Sequence, residues 1–352
     1  MLKFGLVGCG RIAKRHAELL ANDRVHGAGL AAVCDIDFDR ARRLGEQFGA
    51  AYFNSMHEML RDTDLDVVSV LTPSGVHAQN VVELAPYRKH IVVEKPMALR
   101  IGDADQMIAA CTENGVKLFV VKQNRFNIPV VKLREALVEG RFGKLFLGTV
   151  RVRWSRDQAY YDQDAWRGTW ALDGGVLANQ ASHHIDLLEW MMGDIESVFA
   201  MGVTALANIE TEDTAIATLK FKSGALGLVE ATTAVRPKDL EGSLSILGEK
   251  GTVEIGGFAV NEMKTWNFVE SRPEDELVKS KYSVNPPNVY GFGHQAYYEH
   301  VVDCISGNGL ALVDGREGRR SLELISAIYE SIETNRQVRL PVMPDRTRLG
   351  RK

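Results

Sequence analysis

The chain has 352 residues, 45% of them hydrophobic, which is more than one core comfortably organises and enough apolar content to fill two. A net charge of -4 leaves no electrostatic footprint for nucleic acid, and no window approaches the roughly 18 uninterrupted apolar residues of a membrane span, so neither partner is expected. Four widely spaced cysteines (Cys9, Cys34, Cys111 and Cys304) without a CxxC pair indicate neither a disulfide framework nor a structural zinc site, and no metal ligand is assigned. The cytoplasm is the expected compartment, and no signal peptide is expected, because the first strand and its glycine loop already occupy residues 2 to 13.

Short apolar runs at residues 3 to 7 and 29 to 34 bracket a helical stretch from Arg11, as a βαβ unit requires. The pattern repeats. Tyr52-Phe53, Asp66 to Leu71, His90 to Val93 and Lys117 to Val121 read as further strands, with helices near 55 to 61, 76 to 86 and 102 to 114. Residues 1 to 122 therefore read as an α/β, doubly wound Rossmann domain with a parallel sheet. Beyond them the texture changes. A helix at 129 to 139 leads to alternating stretches at Leu145 to Trp154, Ala215 to Phe221 and Leu226 to Ala231. These predict a second, α+β domain over 123 to 352, built on a largely antiparallel open sheet with one exposed or partner-covered face. A helix from Arg316 to Thr334 precedes a polar, Pro-containing tail.

Gly8-Cys9-Gly10-Arg11-Ile12-Ala13 has the GxGxxA form of the dinucleotide fingerprint and lies between the first strand and the first helix. Gly8 permits the tight turn, Gly10 removes the side chain where the backbone nears a pyrophosphate, and Ala13 lets helix and strand pack closely. Asp35 ends the second strand about 20 residues on, where a carboxylate can hold the ribose hydroxyls. It is followed by Ile36 and Asp37 rather than an arginine, so a 2′-phosphate would meet negative charge and NAD is expected over NADP. Thr72-Pro73-Ser74 ends the fourth strand at the carboxyl edge, with His77 in the helix behind it. Cofactor contact by Thr72 or Ser74 competes there with a purely structural turn and cap.

Glu94-Lys95-Pro96 ends the fifth strand at the same edge. A lysine there can donate to a substrate hydroxyl and stabilise the alkoxide as hydride leaves, with Glu94 near the nicotinamide end. Far downstream lies the run Gly174-Gly175-Val176-Leu177-Ala178-Asn179-Gln180-Ala181-Ser182-His183-His184-Ile185-Asp186. Adjacent histidines on a helix face about 100° apart, so only one can address a given hydroxyl. Asp186, on the same helical face as His183, can orient its imidazole.

These motifs together resemble the glucose-fructose oxidoreductase, inositol dehydrogenase and rhizopine-catabolism (Gfo/Idh/MocA) family over essentially the whole chain. The resemblance implies an N-terminal Rossmann domain, a C-terminal α/β domain whose sheet forms oligomer contacts, tetramers included, a cis Lys95-Pro96 bond, and Lys95 and His183 as the catalytic pair. It selects His183 over His184. Val121 to Arg125, Tyr160-Tyr161, Trp166 to Trp170, Leu240 to Ser243 and Val289 to His294 are similar to a subgroup acting on UDP-linked sugar acids. That likeness implies NAD-dependent oxidation at sugar C3 in bacterial surface-polysaccharide (O-antigen) precursor synthesis, with 2-oxoglutarate as a re-oxidant of the cofactor. It places Arg11, Ile12, Ile36, His77, Gln123, Trp166 and Arg167 at the cofactor, and Lys95, Arg125, Asn179, His183, Lys238, Tyr290 and His294 at the substrate.

One departure from the family pattern bears on substrate. Asn179 stands where relatives commonly carry an aspartate, and a neutral amide holds a hydroxyl without repelling an anionic sugar. Arg153 and Arg156 join Arg125, Arg167 and Lys238 as candidate partners for phosphate and carboxylate, against the alternative of a solvated charged face. Two rival functions remain: a dehydrogenase of a free sugar or inositol, and a non-catalytic NAD-binding regulator.

Overall fold

The computed structural model describes residues 1–283, 292–343 and 346–351. Its first compact unit comprises Met1–Lys122 and His294–Arg320, and its second Gln123–Gly293 and Ser321–Lys352. The chain thus returns to the first unit late, whereas the sequence reading kept 123 to 352 together.

The first unit runs β1 (Leu2–Val7), α1 (Arg11–Ala21), β2 (Ala28–Cys34), α2 (Phe38–Phe48), β3 (Ala51–Phe53), α3 (Met56–Asp62), β4 (Val67–Val70), α4 (His77–Leu84), β5 (His90–Val93), α5 (Ile101–Glu113) and β6 (Leu118–Val120). Its six strands are all parallel, in the order β3-β2-β1-β4-β5-β6, the doubly wound order with its switch point between β1 and β4. Val67 to Val70 and Ile91 to Val93 are buried without a break, as strands covered on both faces must be. Asp37 caps α2 by accepting from the Asp39 and Arg40 N–H groups, and Gly49 ends it at φ 66°.

The second unit runs α6 (Ile128–Val138), β7 (Leu145–Arg153), α7 (Gln158–Tyr161), a π turn (Val176–Gln180), α8 (Ser182–Met192), β8 (Ile195–Val203), β9 (Thr214–Phe221), β10 (Leu226–Thr232), β11 (Glu241–Gly248), β12 (Gly251–Gly256), β13 (Glu262–Phe268) and α9 (Asp275–Lys281). Then α10 (Gly293–Ile305) lies almost wholly in the first unit, α11 (Gly315–Thr334) passes from the first into the second, and β14 (Val338–Arg339) completes the sheet. Its order is β13-β12-β11-β7-β10-β9-β8-β14, antiparallel except for the parallel β7–β10 pair.

One face of this sheet is covered by α8, whose Ile185, Leu187 and Leu188 are fully buried. The helix packs on β7 and β11, with Leu188 and Met192 against Gly148 of β7, and burial of each such side chain contributes about 1.5–3 kcal/mol. On the other face the register lines up Met201, Ile216, Glu230 and Arg151. Met201 and Ile216 are exposed there, while Arg153 grips Glu230 at 2.6 and 2.8 Å and Glu241 at 3.1 Å. Arg153, a candidate for substrate charge in the sequence, is thus committed to cross-strand pairing.

Gly8 fixes the start of the nucleotide loop. Its φ is 98°, and a Cβ there would lie 2.8 to 2.9 Å from the Leu71 and Thr72 main chain. Gly8→Ala is therefore expected to lower stability by about 1–3 kcal/mol, read as a reduced Tm; an unchanged Tm would show that the loop is not so constrained.

Candidate active site

In the first unit, the loop after β1 is fastened to the loop after β2 by one carboxylate. Asp35 accepts from the Cys9 N–H at 2.7 Å and from the Asp37 N–H at 2.8 Å, while the Gly8 N–H reaches the Cys34 carbonyl at 2.7 Å. Gly10 caps α1 without a side-chain hydrogen bond, and a Cβ built on it meets nothing within 4 Å. An open approach to uncapped helix N–H groups is what a dinucleotide pyrophosphate needs, so these residues fit NAD. Arg11 is exposed, Ile12 half-buried and Ile36 fully out in solvent at 97%. Arg40, a cation that could have met a 2′-phosphate, is turned to Asp37 at 3.3 Å.

Thr72, Ser74 and His77 form the frame of the next loop. The Thr72 hydroxyl donates to Asn80 at 2.8 Å, and Ser74 is buried at the start of a single 3₁₀ turn. The buried His77 ring lies 2.7 Å from the Thr72 carbonyl and 2.9 Å from the Pro96 carbonyl. Burial lowers its pKa, and a neutral ring donates to only one of the two. His77 therefore ties the Thr72 turn to the Lys95-Pro96 turn, a role its position in the sequence did not suggest.

Lys95 follows β5, its peptide bond to Pro96 is cis, and it is half-buried. Its main-chain N–H donates to Glu94 Oε2 at 2.9 Å. Glu94 Oε1 is 3.0 Å from His16 Nε2, His16 Nδ1 is 2.5 Å from the Tyr298 hydroxyl, and that hydroxyl is 3.1 Å from Ser69 Oγ. His16, Ser69 and Tyr298 are wholly buried and Glu94 nearly so. Burial alone would raise the Glu94 carboxyl, but the His16 hydrogen bond and the charges of His16, His294 and Lys95 outweigh it and hold the group at about 2. His294 is buried beside His16, ring centroids 5.6 Å apart. Its place in the first unit is therefore behind the lysine turn. His16, Glu94 and His294 have metal-ligand spacing among the described residues, yet both His16 nitrogens already serve hydrogen bonds.

In the second unit, Gly174 has φ 81°, and a Cβ there would strike Ala178 and Leu349. The π turn follows, closed by the Ala181 N–H on the Val176 carbonyl at 2.7 Å, and α8 starts at Ser182 with His183 in its first turn. His183 is 8% exposed, and its Nε2 lies 2.9 Å from the Gln123 amide nitrogen. A donated amide N–H leaves that ring nitrogen unprotonated, the form a general base requires. His184 is buried, with neither ring nitrogen hydrogen-bonded, and burial pushes it down to about 4; it is a neutral core group.

Three expectations change here. Asp186 is expected to orient the His183 ring and Arg125 to meet substrate charge; the two bind each other at 2.7 and 2.8 Å, both buried. The planar fork meets the carboxylate with two nitrogens. Asn179 was read as replacing a carboxylate, yet its Nδ2 donates to Asp173 Oδ1 at 2.5 Å, and buried Asp173 also takes the Gly168 N–H at 2.8 Å. The acid is present, six positions earlier in the chain, and it holds the amide. Arg167 binds Asp164 at 3.0 Å and the Tyr160 hydroxyl at 2.9 Å and lies over the Trp166 and Tyr160 rings. Arg156 meets Asp239 at 2.9 Å. Lys238 is exposed and Trp166 half-buried; Tyr290 lies outside the described residues.

Residues 2–122 match the model of an oxidoreductase family with an NAD-binding Rossmann fold, and residues 134–340 match that family's C-terminal alpha/beta domain. The chain belongs to the Gfo/Idh/MocA family. It is an NAD-binding oxidoreductase by that membership. Myo-inositol 2-dehydrogenase of Thermotoga maritima is 30% identical over 96% of this chain and 98% of its own. The WlbA dehydrogenase of Bordetella pertussis, solved with NADH and UDP-GlcNAcA, is 42% identical with TM-score 0.90, covering 97% of this chain and 98% of its own. The WlbA dehydrogenase of Chromobacterium violaceum, solved with the same two ligands, is 44% identical with TM-score 0.90 over 97% and 96%.

Glu94 supplies the pH dependence of the first unit. With its folded pKa held at about 2, below the unfolded value of 4.5, it contributes stability fully above pH 4.5 that is lost as pH falls toward 2. The Tm gap between the parent and Glu94→Gln is expected to be widest near pH 7 and to narrow from about pH 4.5 downward. A gap independent of pH would contradict a buried charged Glu94.

Proposed function

We propose that this protein oxidises the C3 hydroxyl of UDP-N-acetyl-D-glucosaminuronate to the 3-keto sugar with NAD, in the cytoplasm, as a step in surface-polysaccharide (O-antigen) precursor synthesis. The observation that carries this reading is the 42–44% identity, over nearly the full length of both chains, to dehydrogenases solved with NADH and UDP-GlcNAcA. Identity to the inositol dehydrogenase is 30%. Free-sugar and inositol oxidation is therefore the second reading, carried by that relative.

NAD, when bound, supplies the hydride acceptor. Gly8, Gly10 and the first N–H groups of α1 would hold its pyrophosphate, and Asp35 its ribose hydroxyls. Lys95 donates to the reacting oxygen and stabilises the negative charge that develops there, on a backbone that Glu94 holds. His183, whose Nε2 is unprotonated in its hydrogen bond from the Gln123 amide, takes the hydroxyl proton by exchanging that amide N–H for the substrate O–H. Asn179, held by Asp173, is assigned to a sugar hydroxyl. Exposed Lys238 is the cation we assign to the charge of the UDP-linked acid. The exposed Met201 and Ile216 face supports a homo-oligomer, assigned as a tetramer, and 2-oxoglutarate is the assigned re-oxidant.

Incubation with UDP-N-acetylglucosaminuronate, UDP-N-acetylglucosamine and myo-inositol in turn, with and without 2-oxoglutarate, tests the substrate. NADH and a keto product from the first alone are expected, and turnover of myo-inositol at an equal rate would favour the second reading. Lys95→Ala and His183→Asn are each expected to lower kcat by about 10²-fold or more. Near-normal turnover in either would remove that residue from the chemistry.

A further inference from the structure

The loop between β8 and β9 carries Glu210-Thr211-Glu212-Asp213, a run that reads as solvated. Yet Glu212 is only 5% exposed. Its main-chain carbonyl accepts from the Val176 N–H at 3.0 Å. Its side-chain Oε1 accepts from the Leu177 N–H at 3.0 Å and from the Tyr329 hydroxyl at 2.8 Å. The Tyr329 hydroxyl in turn accepts from the Gly175 N–H at 3.1 Å. One residue therefore takes the first two N–H groups of the π turn and, through Tyr329, the N–H before them, the donors that a helix start leaves unsatisfied.

Oε2 of Glu212 is buried with no hydrogen-bond partner. A Cβ added to Gly175 would fall on the Glu212 carbonyl and carboxylate, so the second glycine of the pair exists to let this carboxyl approach. The turn it holds carries Asn179 and runs straight into the first turn of α8, with His183. A π turn inside a helical segment recurs at functional sites, and a buried half-satisfied carboxyl is costly unless something requires it.

We propose that Glu212 is a positioning residue for the reaction: its carboxyl, with Tyr329, sets the shape of the π turn and through it the presentation of Asn179 and His183. The inference rests on the assignment of His183 as the base. Ionisable groups facing Glu212 are Tyr329 from α11 and Asp173 from the loop ahead of the turn. Desolvation pushes the carboxyl up to about 7, against the Leu177 and Tyr329 hydrogen bonds and with the help of the Asp173 charge. Asp173 is also the residue that holds Asn179, so the charge on Glu212 is felt on both sides of the turn.

The test compares Glu212→Gln, which keeps an acceptor for Leu177 and Tyr329 but cannot ionise, with Glu212→Ala. With UDP-N-acetylglucosaminuronate and NAD, Glu212→Ala is expected to lower kcat by about 10²-fold, the scale of a displaced catalytic group, and to leave the NAD Kd unchanged. Glu212→Gln should recover most of that loss and lack an ionisation near pH 7 that the parent shows in kcat/KM. Two measurements need no substrate. Because a raised carboxyl pKa means stability lost as pH rises from 4.5 through 7, the Tm of Glu212→Gln should gain on the parent between pH 5 and pH 8. The NMR titration of the His183 ring should be altered in Glu212→Ala. Unchanged kcat in Glu212→Ala with an unaltered His183 titration would overturn the proposal. Failure of the parent to oxidise the UDP-linked acid would overturn the substrate reading instead, leaving the Tm and NMR measurements to decide the role of Glu212.

Discussion

Lys95 leaves the parallel sheet on a backbone whose N–H is held by the Glu94 carboxylate, and that carboxylate stays charged in the interior because His16 meets it. An unpaired buried carboxylate would neutralise or move. The His16 pairing therefore fixes where the lysine turn begins. His16 lies on the buried side of α1, the helix whose first turn has no side-chain cap. One helix thus carries both the uncapped N–H groups that fit a pyrophosphate and the histidine that frames the Lys95 turn, and Tyr298 and Ser69 close the chain of hydrogen bonds around it.

The second unit solves a parallel problem by a different route. His183 sits in the first turn of α8, directly after a π turn, and the start of such a turn leaves N–H groups unsatisfied. Gly175 lets Glu212 come close enough, with Tyr329, to satisfy the N–H groups at the start of the π turn. The Arg125–Asp186 pair then fastens α8 to the segment carrying Gln123, the residue that hydrogen-bonds the His183 ring. In both units a buried acid supports the backbone near a side chain to which we assign the chemistry, Glu94 at Lys95 and Glu212 ahead of His183.

How much of this was legible in the sequence depends on the range of each interaction. The glycine fingerprint, Asp35 and the strand-end Glu94-Lys95-Pro96 are local patterns, and the alternation of apolar and polar residues marks β7, β9 and β10. β8 was not read because Phe199, Met201 and Val203 are apolar on the exposed face, which erases the period-2 signal. His16 was invisible: its partners are 78 and 282 positions away, and inside an amphipathic helix it reads as one more core residue. Arg125 and Asp186, 61 positions apart, were each given a chemical task because nothing in their surroundings shows that they neutralise each other. Glu212 was hidden in an acidic run, although the adjacent glycine pair ahead of the histidine could have prompted a search for what approaches it so closely. Residue types reveal chemistry where spacing is short, and tertiary pairing decides which charges remain to perform it.

The reaction we propose removes hydrogen from C3 of a UDP-linked sugar acid. Supplying UDP-N-acetylglucosaminuronate deuterated at C3 and following the label by mass spectrometry tests it directly. The account predicts deuterium in the reduced nicotinamide and a keto sugar that has lost it. A product that keeps the deuterium, with NADH formed unlabelled, would contradict it.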